Sequence, residues 1–298
     1  MPSAVLIVNR SSGHHLNADE HKGGSEALLR DLGFAVETAG GSIRRQISKA
    51  RRSSADIVVV DGGDGTLNAV VGALGLDGRP IGLIPGGTMN LIAADYGVPL
   101  DRQAAAESIA GGQSRAIDAA TMGGRLFLHT AFTGLPVRIG VHREARRGAM
   151  GLITKARLAV HAFTSGHKDE TLSLREPSAA DAISGESFVF GVGDFVGQIM
   201  PRPERVAVND GRMTAIAIRP KNSADLARLL VRGAFGTLLA DEAVTRRELG
   251  SGTLTGRRRG THAMLDGESV FVRLPAEIVI RKGAWRLFVP HPGTGAAA

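Results

Sequence analysis

Asp61-Gly62-Gly63-Asp64-Gly65-Thr66 packs three glycines, two aspartates and a threonine into six consecutive residues. Glycine has no Cβ and tolerates positive φ, so such a loop can fold closely around a guest and turn its N–H groups onto it. The guest that this arrangement suits is an anion, most naturally a phosphate. A second loop of the same kind, Pro85-Gly86-Gly87-Thr88-Met89-Asn90, follows about twenty residues later. For one loop alone, a purely structural turn between strand and helix is an equal reading.

The elements that must position these loops can be read on either side of them. The β-branched run Ile57-Val58-Val59-Val60 is a strand. Beyond the loop, Leu67, Val70, Val71 and Leu74 recur with the period of a helix, whose first turn adds unpaired N–H groups and the positive end of its dipole. Upstream, Ala4-Val5-Leu6-Ile7-Val8 predicts a buried strand ending at Asn9, and Phe34-Ala35-Val36-Glu37-Thr38 predicts another. Helices are expected over 25–32, with Ala27, Leu28 and Leu32 on one side, and over 42–52, with Ile43, Ile47 and Ala50 at helical spacing. A turn at Asp77-Gly78-Arg79-Pro80 leads into the strand Ile81-Gly82-Leu83-Ile84. Strands alternating with helices imply a parallel sheet, in which ligands bind beyond the carboxyl ends of the strands. Asn9, Thr38, Asp64 and Thr88 all fall at or just past such ends, which favours the phosphate reading. The chain has neither a Gly-x-x-x-x-Gly-Lys-Ser/Thr loop nor a Gly-x-Gly-x-x-Gly fingerprint at its first strand.

Composition narrows the setting. A length of 298 residues favours two domains, and 43% hydrophobic with 22% charged residues is ordinary globular usage. With no cysteine, disulfides, thiolate metal sites and cysteine nucleophiles are excluded. No leader and no membrane-length apolar run stand out, so a cytoplasmic protein is expected. The net charge of +7 favours anionic partners, whereas 4% aromatic residues give little support to base stacking on nucleic acid. Contact with a membrane surface is at least as good a reading. Basic residues cluster at Arg143, Arg146 and Arg147, at Lys155 and Arg157, and at Arg257-Arg258-Arg259, where a solvated face is the plain alternative. His14 and His15 lack a third ligand at metal spacing and read as surface residues.

From about Thr121 the pattern changes to short strands at 126–128, 188–190, 205–208, 214–218, 270–272 and 278–280. Helices are expected over 151–165 and 223–233, and residues 181–186 read as an exposed turn.

Gly62-Gly63-Asp64-Gly65-Thr66-Leu67-Asn68 followed by Pro85-Gly86-Gly87-Thr88-Met89-Asn90 resembles the diacylglycerol kinase catalytic domain family. The first motif is shared with NAD kinases and 6-phosphofructokinases; the second is the more specific. The resemblance continues through Asn9 with Ser12-Gly13, Arg115-Ala116-Ile117-Asp118 as the linker into the second domain, Asn209-Asp210-Gly211-Arg212-Met213, and Leu265-Asp266-Gly267-Glu268. Departures are Arg10 in place of proline, Leu91 in place of aspartate, His129 and Thr130 where asparagine is common, and a reduced glycine stretch over 191–198.

The resemblance implies an NAD kinase/phosphofructokinase-like α/β domain over 1–120 and a β-rich, sandwich-like acceptor domain over 121–298 across a cleft. The C-terminal end is free to pack back on the first domain. It further implies a lipid kinase using ATP and Mg²⁺, with lipid as the partner at the inner face of a membrane. Peripheral membrane contact and a homodimer are both open, and nucleic acid is not expected. Gly62, Gly63, Asp64, Gly65 and Thr66, with Asn68, Gly87, Thr88 and Asn90, would form the phosphate loops, and Asn9 and Thr38 would lie near the nucleoside. Asp64 would hold Mg²⁺ or fix the loop, and Asp210 would hold a structural Mg²⁺. Asp266 would be the general base, with Glu268 as the fallback. A soluble acceptor such as NAD, or a binding regulator without turnover, are the alternatives.

Overall fold

The computed structural model describes residues 1–9, 24–75, 78–134, 171–177, 179–195 and 205–291. Arg10, Ser12-Gly13, His14, His15, Asp77, the basic positions between 143 and 157, the helix expected over 151–165, and Gly197 and Gln198 lie outside them. The chain divides into two compact units, Met1–Ile117 with Lys282–Ala298, and Asp118–Arg281.

Unit 1 is an α/β layer structure. Its elements are β1 (Ser3–Val8), α1 (Gly24–Asp31), β2 (Ala35–Thr38), α2 (Ile43–Arg52), β3 (Ile57–Gly62), α3 (Asp64–Leu74), β4 (Ile81–Pro85), α4 (Leu91–Asp95) and α5 (Arg102–Gly111). β1 pairs in parallel with both β2 and β3, and β3 with β4, so the order is β2-β1-β3-β4. β3 and β4 are buried at every position, as their unbroken apolar runs predict for a sheet covered on both faces. Helices α1 and α5 pack together on one face, α2 and α3 on the other. Gly82 belongs to the first of these faces: a Cβ there would lie 2.7 Å from Cδ1 of Ile109 in α5. The face of α1 differs from expectation. Leu29 is its buried leucine, while Leu32, in the turn after the helix, is exposed. In α2 it is Gln46 that is buried beside Ala50, because its side chain bonds to both main-chain groups of Val8, donating to the carbonyl at 2.9 Å and accepting from the N–H at 2.8 Å.

Unit 2 is built from β-strands. The chain enters it within β5 (Gln113–Met122), so the segment 115–118, expected to lead into the second domain, spans the unit boundary as strand. There follow β6 (Arg125–Phe127), β7 (Thr130–Thr133), β8 (Leu172–Arg175), β9 (Ile183–Gly185), β10 (Ser187–Val192), β11 (Asp194–Phe195), β12 (Arg205–Ala207) and β13 (Met213–Ile218). After α6 (Ser223–Ala234) come β14 (Val244–Leu249), β15 (Ser251–Gly256), β16 (Gly260–Leu265), β17 (Glu268–Arg273) and β18 (Ala276–Val289). An antiparallel sheet has the order β14-β13-β10-β7-β16-β17. A second layer holds β9, β8, β15 and the first half of β18. One core joins the layers, with Phe188, Phe190, Ala215 and Leu265 from the first and Leu172, Leu174, Leu254 and Ile278 from the second. This is the expected sandwich-like arrangement. Residues 183–185, expected as part of an exposed turn, form β9, with Ile183 and Gly185 buried. The last part of β18 returns to unit 1, where Leu287 pairs with Ile81 of β4.

Candidate active site

The first glycine loop forms because β3 ends at Gly62 and α3 begins at Asp64 with one residue between them. That residue, Gly63, is the extended N-cap. Its carbonyl accepts the N–H groups of Thr66 (3.0 Å) and Leu67 (3.1 Å). The N–H groups of Asp64 and Gly65 open the helix ahead of any intrahelical acceptor, and so are donors available to an anion. Thr66 is buried in the first turn, where its Oγ accepts from Asn9 Nδ2 at 2.7 Å. Asn9 in turn is fixed at the end of β1 by its own N–H, which donates to the Asp61 carbonyl at 2.9 Å.

The second loop is locked onto the first. Gly86 N–H donates to the Gly62 carbonyl at 3.0 Å. A Cβ on Gly63 would come within 2.8 Å of Gly87 Cα, and one on Gly87 within 2.6 Å of Gly63 Cα. These two glycines are required by backbone-to-backbone contact, not by φ. Asn90 adopts the left-handed region at φ 46° and closes a ring on Gly87, accepting from its N–H (3.0 Å) and donating to its carbonyl (2.8 Å). Asp64 then accepts from the N–H groups of Leu91 (3.1 Å) and Ile92 (3.2 Å), at the start of α4. The position where this chain has Leu91 therefore contributes its main chain to the site. Thr88 is exposed at the loop tip, and Asn68 is half-buried one turn into α3.

Asn9, Gly62, Gly63, Asp64, Thr66, Gly87 and Asn90 are thus joined by direct contacts. Thr38 is not part of that set. It ends the edge strand β2, two strands from β3, and its carbonyl accepts from Lys49 Nζ at 2.5 Å.

One group beneath the loops was not among the expected site residues. Asp61, 1% exposed, forms a two-pronged ion pair with Arg102 at the start of α5 (3.1 and 2.7 Å) and accepts from Ser25 Oγ at 2.7 Å. The legible signal was a carboxylate on an inward position of an otherwise apolar strand. Its partners, 36 and 41 residues away, carried none.

In unit 2, Asp266 and Gly267 are the two turn residues of the β16–β17 hairpin, both at positive φ (47° and 90°), as an Asp-Gly turn of this type requires. The Asp266 carboxylate accepts three main-chain N–H bonds, from Leu128 (2.6 Å), His129 (2.9 Å) and Thr130 (2.9 Å). It therefore shapes the turn between β6 and β7. Glu268 is exposed at the start of β17. Asp210 is exposed, and its own carboxylate accepts from Arg212 N–H at 2.9 Å. The buried acid bonded to that turn is Asp118 of β5, which accepts from Gly211 N–H at 2.8 Å, while its N–H donates to Asn209 Oδ1 at 2.8 Å. Among the described residues, no three His, Asp or Glu side chains gather as a metal site.

Residues 3–122 match the diacylglycerol kinase catalytic domain. A diacylglycerol kinase of Staphylococcus aureus is 24% identical over 245 residues, covering 78% of this chain and 76% of its own. The fold is shared with a crystal structure of a diacylglycerol kinase from Bacillus anthracis (18% identity, TM-score 0.67, 97% of each chain). It also resembles an NAD kinase from Archaeoglobus fulgidus in complex with ATP (16% identity, TM-score 0.50, 98% of this chain and 94% of that one).

Proposed function

We propose that the protein transfers the γ-phosphate of ATP to the hydroxyl of a lipid, diacylglycerol or a close relative, presented at a membrane surface. The observation that carries this reading is the pair of interlocked glycine loops inside the stretch that matches the family. Phosphoryl transfer asks for positioning and charge neutralisation more than for covalent chemistry. The N–H groups of Asp64 and Gly65, with the hydroxyls of Thr66 and Thr88, supply donors for phosphate oxygens. Because Thr66 Oγ accepts from Asn9, its own proton is left to be donated elsewhere.

A Mg²⁺ ion needs only one or two carboxylates when substrate phosphates complete its shell. Asp64 suits this: it is half-buried beside the N–H donors, and its oxygens accept bonds of 3.1 and 3.2 Å. Bound there, the ion would neutralise phosphate charge. Asp210, expected to hold a separate structural Mg²⁺, has a carboxylate that closes its own turn.

On the acceptor side Asp266 is the proposed base and Glu268 the fallback. Three N–H donors hold the Asp266 carboxylate in one orientation. The two roles separate experimentally. With radiolabelled ATP and mixed bacterial lipids, wild-type protein should yield a labelled lipid. Asp266→Asn should lose at least about a hundredfold in turnover if Asp266 takes the proton. Full turnover in that variant, with loss in Glu268→Gln, would move the base to Glu268. The likeness to an ATP-bound NAD kinase motivates one control. Phosphorylation of NAD and not of lipid would replace the reading, and ATP binding without either product would leave a nucleotide-binding regulator.

A further inference from the structure

We propose that Asp61, Arg102 and Ser25 form a positioning cluster that sets the nucleotide loops from the opposite face of the sheet. The inference rests on the phosphate-loop reading above and extends it to residues outside the loops.

β3 alternates, so Ile57, Val59 and Asp61 face the α1/α5 side, and register pairs Val59 with Gly82 and Asp61 with Ile84. Two positions of that row are apolar, and the third, at the ligand-bearing end, carries a buried charge. Burying an ion pair is costly and is often no better for stability than apolar residues of the same size. Here it is fully engaged: Arg102 meets both carboxylate oxygens (3.1 and 2.7 Å). Its Nη2 also donates to Ser25 Oγ (2.6 Å), which itself donates to Asp61 (2.7 Å). The cluster thereby ties the first turns of α1 and α5 to one residue of β3.

The main chain of that residue leads directly to the site. The Asp61 carbonyl accepts from Asn9 N–H, and Asn9 holds the Thr66 hydroxyl. The next residue, Gly62, accepts from Gly86 N–H, and the one after it lies against Gly87. A rotation at Asp61 would therefore displace the ends of β1, β3 and β4 together. Misplacements of about 1 Å at such sites can cost on the order of a hundredfold.

The experiment separates positioning from stability by measuring binding of a fluorescent ATP analogue and thermal unfolding on the same full-length variants. The paired change Asp61→Val with Arg102→Met removes both charges and keeps apolar volume. It should melt within about 5 °C of wild type and bind the analogue about tenfold or more weakly. Ser25→Ala, which removes one hydroxyl, should weaken binding severalfold with little change in melting. Wild-type affinity in the folded double variant would overturn the inference. Should that variant not fold, wild-type affinity in Ser25→Ala would overturn it equally. A wild-type protein that binds ATP but phosphorylates no lipid would remove the lipid-kinase reading and leave this one standing. One that binds no ATP would remove this inference too.

Discussion

At the scale of single residues, glycine and aspartate do different work in the two units. Gly63 and Gly87 are required because two backbones touch, and a methyl on either would meet a Cα at 2.8 or 2.6 Å. Gly63→Ala must push the loops apart. We expect about 1–3 kcal/mol lost in denaturant unfolding and turnover reduced at least about a hundredfold; a variant with wild-type turnover would contradict the contact. Asp266 is held by three N–H donors, and an amide in its place would turn an NH₂ group toward at least one of them. Asp266→Asn should therefore cost about 1–3 kcal/mol of stability whatever its role in the reaction. Chemical denaturation checks this independently of any assay of product.

At the scale of elements, α6 is fastened to the segment after it by charge. Arg228 donates to Asp241 (2.8 and 3.1 Å) and pairs with Asp225 at 2.9 Å, and Arg232 adds a contact to Asp241 at 3.2 Å. The hydrogen bonds from Arg228 lead in holding the Asp241 carboxyl at about 2, below its ordinary 3.8, and the same pairing raises Arg228. A carboxyl depressed in the folded state contributes stability that is complete above its ordinary value and is lost as pH falls through the folded value. Amide exchange across 223–241, taken relative to the intrinsic rate at each pH, should thus keep the full protection this pair gives above pH 3.8 and accelerate as pH falls toward about 2. Asp241→Asn should remove that acceleration. The helices themselves follow their sequence signals, yet their buried faces do not always: Leu29 and Gln46 are buried in preference to Leu32 and Ile47. Periodicity marks a helix, but which stripe is covered depends on the strand it meets, and Gln46 is buried because Val8 offers both a donor and an acceptor.

At the scale of the whole molecule, a net charge of +7 biases encounter with anionic surfaces, and the run Arg257-Arg258-Arg259 is exposed between β15 and β16. Binding to vesicles of anionic lipid should exceed binding to neutral ones and weaken as salt shortens the Debye length from about 10 Å at 0.1 M to about 3 Å at 1 M. Salt-independent binding would point to apolar contact instead. Among the described residues, no helix is long and apolar enough to cross a membrane. The sequence by itself determined the parallel α/β unit, the β-rich second half and the two glycine loops. These depend on local signals, namely unbroken apolar strands, helical periodicity and glycine clusters at strand ends. Only the tertiary structure decided that the loops interlock through Gly63 and Gly87, that Asp64 caps α4, that Asp266 anchors a neighbouring turn, and that Asp61 is clamped by Arg102 and Ser25. Each of these joins residues from separate elements, and a one-dimensional pattern carries no record of which distant donor a carboxylate will meet.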